Sequence, residues 1–149
     1  MNPGPQQSQH ADVFGNHVSE GLGFVLQQDG ANMNEFMAAY GAGGGRWVMT
    51  EAVPLVAGRW QHVALVKTPE ELRFYLNGVL VASEPDAAPA RPSPMPIAVG
   101  LGYTAQERCF RGRIDDARPR CQLPWGWATP LKSVASGDGS TNSGSGTKP

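Results

Sequence analysis

Long hydrophobic runs, an excess of charge of one sign and a secretory leader are all missing from this sequence of 149 residues. No apolar run approaches the roughly 20 residues that a membrane helix needs, so the sequence predicts no membrane insertion. The formal net charge is −1, which leaves no overall positive field and predicts no nucleic-acid partner. Residues 1–20 contain neither a basic start nor an apolar stretch, so they do not form a signal peptide. The protein therefore either stays inside the cell or belongs to a longer secreted chain.

Cysteine is scarce, with only Cys109 and Cys121 present. Two thiols this close in sequence can close a small loop if the chain reverses between them, and Pro119 would favour such a reversal. Two unrelated thiols are the interpretation that cysteine counting favours, and a pair stays open as the alternative. No CxxC or Cys/His spacing suggests zinc.

The paired carboxylates that glycosidases use are also missing. Such enzymes place two acids on one strand face, typically as Glu-x-Asp-x-Glu, so that a nucleophile and an acid/base flank one bond. Glu70 and Glu71 are adjacent in a predicted turn, and neighbouring Asp115 and Asp116 on a predicted strand would point to opposite faces. We therefore predict that the protein is not an enzyme.

Glycine and proline are abundant, with 19 and 13 residues, while charged residues make up only 17% of the chain. This balance is typical of short strands joined by many turns, and it predicts an all-β fold without helices of useful length. Period-two alternation and turn residues place the strands at 23–27, 35–40, 46–50, 58–67, 72–76, 79–83, 96–101 and 110–117.

Asn77-Gly78 is the clearest turn signal, because a two-residue type I′ hairpin loop needs positive φ at both positions. A two-residue loop predicts the cross-strand pairs Leu76 with Val79, Phe74 with Val81 and Leu72 with Ser83. Residues 58–67 are apolar on both faces, which predicts a central strand with His62 packed between sheets.

Two stretches resemble a known family. Residues 58–84, GRWQHVALVKTPEELRFYLNGVLVASE, resemble the W-x-H-V-A-x-V … L-x-F-Y-x-N-G-x-x-V pattern of laminin-G-like, concanavalin A-like domains. Residues 110–118, FRGRIDDAR, resemble the F-x-G-x-I-D-D/E-x-R signature near the end of those domains. The resemblance covers roughly residues 21–118 and implies a two-sheet antiparallel jelly-roll sandwich with Trp60 in its core. It also implies an extracellular or periplasmic setting within a larger multidomain protein.

The resemblance suggests three parts of the chain. Residues 1–20 are expected to be an irregular N-terminal segment, and residues 21–132 the jelly-roll domain. From about residue 119 that domain should be irregular, because repeated prolines withhold ladder donors. Residues 133–149 are rich in serine and glycine and predict a flexible tail.

The implied function is that of a non-catalytic recognition module that binds carbohydrate or a glycoprotein. Trp47 and Tyr103 lie beside glycine-rich loops and are candidates for stacking on a sugar ring. Arg111 and Arg113 alternate with apolar residues and are candidates for an anionic glycan. A protein-interaction or spacer domain without a small ligand is the alternative.

Some laminin-G-like domains hold Ca²⁺, and the sequence contains one oxygen-rich loop suited to it. Asp29, Asn32 and Asn34 supply the hard oxygen ligands that calcium prefers. The competing interpretation is ordinary turn chemistry, for which the same residue types are selected.

Overall fold

The computed structural model describes residues 1–32, 34–102 and 108–120. Over these ranges the chain is all-β, and none of its elements is a helix long and apolar enough to cross a membrane. The eleven strands found there are β1 (Asn2–Pro3), β2 (Asp12–Gly15), β3 (Phe24–Gln28), β4 (Glu35–Gly43), β5 (Arg46–Met49), β6 (Val53–Pro54), β7 (Val63–Lys67), β8 (Glu71–Leu76), β9 (Val79–Pro85), β10 (Ala98–Val99) and β11 (Gly112–Arg113).

The strands form three antiparallel sheets. The largest has six strands in the order β10-β2-β3-β4-β5, with β6 pairing to the first residues of β4. The others are β7-β8-β9 and β1-β11. The prediction of an all-β fold is confirmed, and residues 35–40 are a strand rather than a helical turn.

The core lies between the six-stranded sheet and the sheet of β7, β8 and β9. Period-two alternation sends Phe36, Ala38 and Tyr40 of β4 to one face, and all three are buried. Leu72 and Phe74 of β8, both 0% exposed, join the same hydrophobic cluster. Residues Met1–Arg118 form one compact unit around this core.

The Asn77-Gly78 turn is present as predicted, with φ of 52° and 81°. Leu76 pairs with Val79 as expected, but a bulge follows, so that Phe74 pairs with Ala82 and Leu72 with Glu84. The predicted pairs with Val81 and Ser83 are therefore wrong by one residue. A bulge inserts one residue into one strand, and turn chemistry alone does not reveal it.

The N-terminal segment differs from the irregular stretch expected at residues 1–20. β1 pairs with β11, and β2 lies between β10 and β3 in the large sheet. Gly15 lets β2 lie close against β3, because a Cβ at this position would collide with the carbonyl oxygen of Phe24. The sequence of this segment does not show the hydrophobic alternation of a strand, because its buried residues include polar Gln7 and Asp12, at 6% and 2% exposed.

The strand expected at 58–67 is shorter, and among the described strands it lies at the edge of its sheet. β7 begins only at Val63, and its one partner within the described ranges is β8. Gln61 folds the preceding residues into a loop, since its side-chain amide bonds both the N–H and the carbonyl oxygen of Val56, at 3.1 and 3.0 Å. Trp60 is consequently 54% exposed and His62 is exposed, so the predictions that they pack inside are wrong.

Around β11 the predicted alternation is confirmed. Phe110 and Ile114 pack against the core, while Arg111 and Arg113 are exposed. Regular pairing there covers only Gly112–Arg113. Cys121 and the predicted tail at 133–149 lie outside the described residues, so the structure does not test whether Cys109 and Cys121 pair.

Candidate functional site

A pocket of about 230 Å³ opens on the face of the six-stranded sheet that points away from the core. Strands β3, β4 and β5 supply its floor, because the residues between their core-facing positions point to this side. It is lined by His17, Ser19, Val25, Gln27, Ala39, Trp47, Met49 and Arg108. The volume is below the range of about 300–1,000 Å³ for drug-sized ligand sites, so it suits a small molecule or one unit of a larger one.

Strand alternation places Trp47 in this pocket. In β5, Val48 is buried in the core, so its neighbours Trp47 and Met49 point to the pocket side. Trp47 pairs with Gly41 of β4, where a side chain would collide with the backbone of Gly21. The backbone of Gly21 therefore covers Gly41 beside the indole, and the Trp47 side chain itself is partly exposed.

His17 contacts three other side chains at the pocket: Trp47, Asp12 and Arg108. Its ring meets the Trp47 ring edge-on, with 5.7 Å between centroids. Its Nδ1 lies 3.6 Å from Oδ2 of Asp12, and its Nε2 lies 3.4 Å from Nη1 of Arg108. A guanidinium carries only donors, so Nε2 is the acceptor and the ring proton is on Nδ1, facing Asp12.

Burial lowers the pKa of His17 from its ordinary value of 6.5, and the charge of Arg108 lowers it further. The ring is therefore neutral at pH 7, in agreement with its role as acceptor for Arg108. The described lining residues combine the Arg108 cation, a neutral imidazole, the amide of Gln27 and the hydroxyl of Ser19 beside an aromatic ring. This set can stack on an apolar ring face and exchange hydrogen bonds with hydroxyl or carboxylate groups.

Among the described residues, the pocket has no pair of carboxylates placed to cleave a glycosidic bond. None of its described lining residues is Asp or Glu, and the nearby Asp12 is only 2% exposed and lies against His17. Glycosidases use two carboxyl groups about 5–9.5 Å apart on either side of the bond. In the ranges that the structure describes, this arrangement is not present at the pocket.

The residues singled out from the sequence do not come together at one place. Trp47 lines the pocket, whereas Arg113 lines a separate hollow of about 340 Å³ beside β1 and β11. Arg111 is exposed, and its backbone carbonyl accepts a hydrogen bond from Gly4 at 2.8 Å. Tyr103 lies outside the described residues.

The loop predicted to hold calcium joins β3 to β4. The side-chain amide of Gln28 donates to the carbonyl oxygens of Asp29 and, at 2.6 Å, of Asn32. The amide of Asn32 donates to Oε2 of Glu35 at 2.8 Å, and the carbonyl of Asn34 accepts from Leu55 at 2.8 Å. Several oxygens of the loop thus already accept protein hydrogen bonds. Across the described part of the chain, no cluster of three or more His, Cys, Asp or Glu side chains is placed to hold a metal.

Sequence reasoning missed Asp12, His17 and Arg108. The first two lie in the segment expected to be irregular, and Arg108 precedes the family signature at 110–118. No local pattern marks them, because each meets the others only through tertiary packing.

Comparison with known proteins adds one finding. A laminin G family model, described as "Concanavalin A-like lectin/glucanases superfamily", matches residues 1–119. No curated protein and no solved structure gave a significant match.

Proposed function

The chain belongs to the laminin G family within the concanavalin A-like superfamily, and on that premise we propose that it is a non-catalytic module that binds carbohydrate. The family indicates a recognition or binding module. Laminin-G-like domains are generally non-catalytic, although the superfamily also includes glucanases. We propose further that the ligand is carbohydrate and that the module catalyses no reaction.

The observation that carries the proposal is the partly exposed Trp47 ring in a small pocket beside polar groups. Sugars present an apolar ring face and a rim of hydroxyls, so their sites pair an aromatic side chain with donors and acceptors. His17, Gln27 and Arg108 supply these groups around Trp47. The described residues place no pair of carboxylates at the pocket, which supports recognition without cleavage.

We also propose that the strands complete a two-sheet jelly roll. Gly58 donates to the carbonyl of Pro3, and Gln61 to that of Met1, both at 2.8 Å. These bonds join β1 to the segment that precedes β7. They support a single layer in which β11 and β1 lie beside that segment, and the segment leads into the sheet of β7, β8 and β9. The setting we propose, from family resemblance, is extracellular or periplasmic and part of a larger protein.

A screen of the full chain on an array of neutral and acidic glycans tests the proposal. We expect binding to at least one class, and we expect Trp47→Ala to weaken it at least tenfold, about 1.4 kcal/mol. Trp60→Ala is the matched control, because Trp60 is exposed and does not line the pocket. Equal losses in both variants, or silence across the array, would contradict carbohydrate binding in this pocket.

One observation favours the alternative of a protein-interaction domain. The sheet of β7, β8 and β9 exposes several apolar side chains, namely Val66, Val79, Leu80 and Val81. Exposed apolar patches mark many protein interfaces. A silent glycan array together with self-association that is lost in Leu80→Ser would favour this second function.

A further inference from the structure

The guanidinium of Arg108 has unused hydrogen-bonding capacity in the pocket. Arg108 is half-buried and lines the pocket wall. Its side chain makes one hydrogen bond to a described residue, through Nη1 to Nε2 of His17 at 3.4 Å. A guanidinium carries five N–H donors, so most of them have no protein acceptor within the described ranges.

The charge of Arg108 is not neutralised by an ion pair within the described part of the chain. The ion pairs found there join other residues, and among them the carboxylate of Asp12 lies against the opposite nitrogen of His17 at 3.6 Å. A cation that is partly withdrawn from water is stabilised by an anion that enters the pocket.

His17 restricts the orientation of the Arg108 guanidinium. The imidazole accepts from Nη1, while its other nitrogen faces Asp12 and its ring packs edge-on against Trp47. One N–H of the guanidinium is thereby occupied, and its other donors have no acceptor among the described residues and can serve a ligand. Two parallel N–H groups of a guanidinium match the two oxygens of a carboxylate.

We infer that the ligand is a carboxylated sugar, whose carboxylate pairs with Arg108 while its ring lies on Trp47. The inference rests on the proposed function and specifies its ligand class. Among the described lining residues, a single guanidinium beside neutral His17, Gln27 and Ser19 suits one negative charge on an otherwise hydroxylated ring. Uronic acids and sialic acids both provide this chemistry.

Calorimetric titration of the full chain tests the inference, with glucuronic acid, N-acetylneuraminic acid and glucuronamide as ligands. Glucuronamide replaces the carboxylate by an uncharged amide of nearly the same shape. We expect at least one of the two acids to bind. If the carboxylate that the pocket recognises belongs to a uronic acid, glucuronic acid should bind at least tenfold more tightly than glucuronamide. If the source is a sialic acid, N-acetylneuraminic acid should bind more tightly than its methyl ester. Added salt should weaken only the acid.

Arg108→Gln should abolish the preference for the acid, and Arg108→Lys should restore part of it, since a lysine keeps the charge but not the fork. Arg59→Gln is the matched control, because Arg59 is exposed and does not line the pocket. Thermal unfolding of each variant shows whether it is folded.

The outcomes separate this inference from the proposed function. If uncharged sugars bind as tightly as the acids, or a folded Arg108→Gln keeps the preference, the carboxylate assignment is overturned and carbohydrate binding stands. If neither acidic nor neutral sugars bind, the proposed function fails and the inference fails with it.

Discussion

His17 shows how one side chain couples the site to the stability of the fold. It is half-buried between Asp12, Arg108 and Trp47, and its pKa is lowered by burial and then by Arg108. Among the described residues, the charged groups that face it include the anion Asp12 and the cation Arg108, which come from separate parts of the chain. Because the folded state resists protonation of this ring, the unfolded state binds its proton more readily.

Acid should therefore destabilise the protein in the range that His17 controls. The contribution is fully present above pH 6.5 and is lost as the pH falls from there toward the lowered pKa, by at most about 1.4 kcal/mol per pH unit. Urea denaturation between pH 8 and pH 4 measures it. His17→Gln should flatten this dependence of stability on pH, whereas His62→Gln, at an exposed histidine, should not.

Asp86 affects stability in a separate pH range. A hydrogen bond from the Ala88 N–H favours its charged form and lowers its pKa below the ordinary 3.8, so its contribution is lost only in stronger acid.

Tyr40 connects the six-stranded sheet to the segment that follows β9. Its hydroxyl lies 3.1 Å from Oδ1 of Asp86 and 3.0 Å from the carbonyl of Ala88. Lys67 of β7 lies over its ring, 5.0 Å from the centroid. Burial, followed by the Asp86 hydrogen bond and charge, raises the pKa of Tyr40 to about 12.

Removing the hydroxyl should destabilise the fold without changing its core packing. We expect Tyr40→Phe to lower the free energy of unfolding by about 1–2 kcal/mol, because the partners of the hydroxyl lose a hydrogen bond. In the wild type, stability should also fall as pH rises from 10 through about 12, since the folded state holds the phenolic proton longer. Tyr40→Phe should lose this alkaline dependence. Urea denaturation at pH 7 and pH 11 gives both values, and an unchanged profile would contradict the assignment.

At the scale of elements, the β8-β9 hairpin shows what local sequence can and cannot predict. Asn77-Gly78 predicts the reversal because positive φ is a property of the residues themselves. The bulge after it depends on how β9 fits its neighbours, so the pairs of Phe74 and Leu72 were shifted by one residue. The same limit explains Trp60, whose exposure follows from the loop that Gln61 holds.

The β3-β4 loop supports a prediction about calcium. To bind through the backbone carbonyls of Asp29 and Asn32, the ion would have to displace the Gln28 amide from them. We therefore expect calcium to raise the melting temperature only at millimolar concentration, in the weak range of about 10⁻⁴–10⁻³ M. Thermal scans with calcium and with chelator measure this, and Asp29→Asn should abolish any rise. A rise at micromolar calcium would show that Gln28 does not hold the loop closed.

At the scale of the whole molecule, the first residues are integral to the fold. β2 joins β10 to β3 in the six-stranded sheet, and β1 pairs with β11. A sheet that loses an internal strand leaves backbone donors and acceptors unpaired on both sides.

We therefore expect a chain that begins at residue 21 to lose cooperative unfolding, whereas the full chain keeps it. The pocket should fail in the same truncated chain, because His17 and Ser19 belong to its wall. Circular dichroism with thermal unfolding is the measurement. A truncated chain with an unchanged transition would support the shorter domain that the family motifs suggested at 21–132.

The sequence by itself determined the all-β class, most strand positions and the hairpin turn, because periodicity and backbone preferences are local. Family motifs at 58–84 and 110–118 added the superfamily. Only the tertiary structure decided where the candidate site lies. Residues 17, 47 and 108 are far apart in the chain, and they meet because β3, β4 and β5 form the floor beneath them. Such a meeting depends on long-range pairing and burial, which no short window of residues encodes.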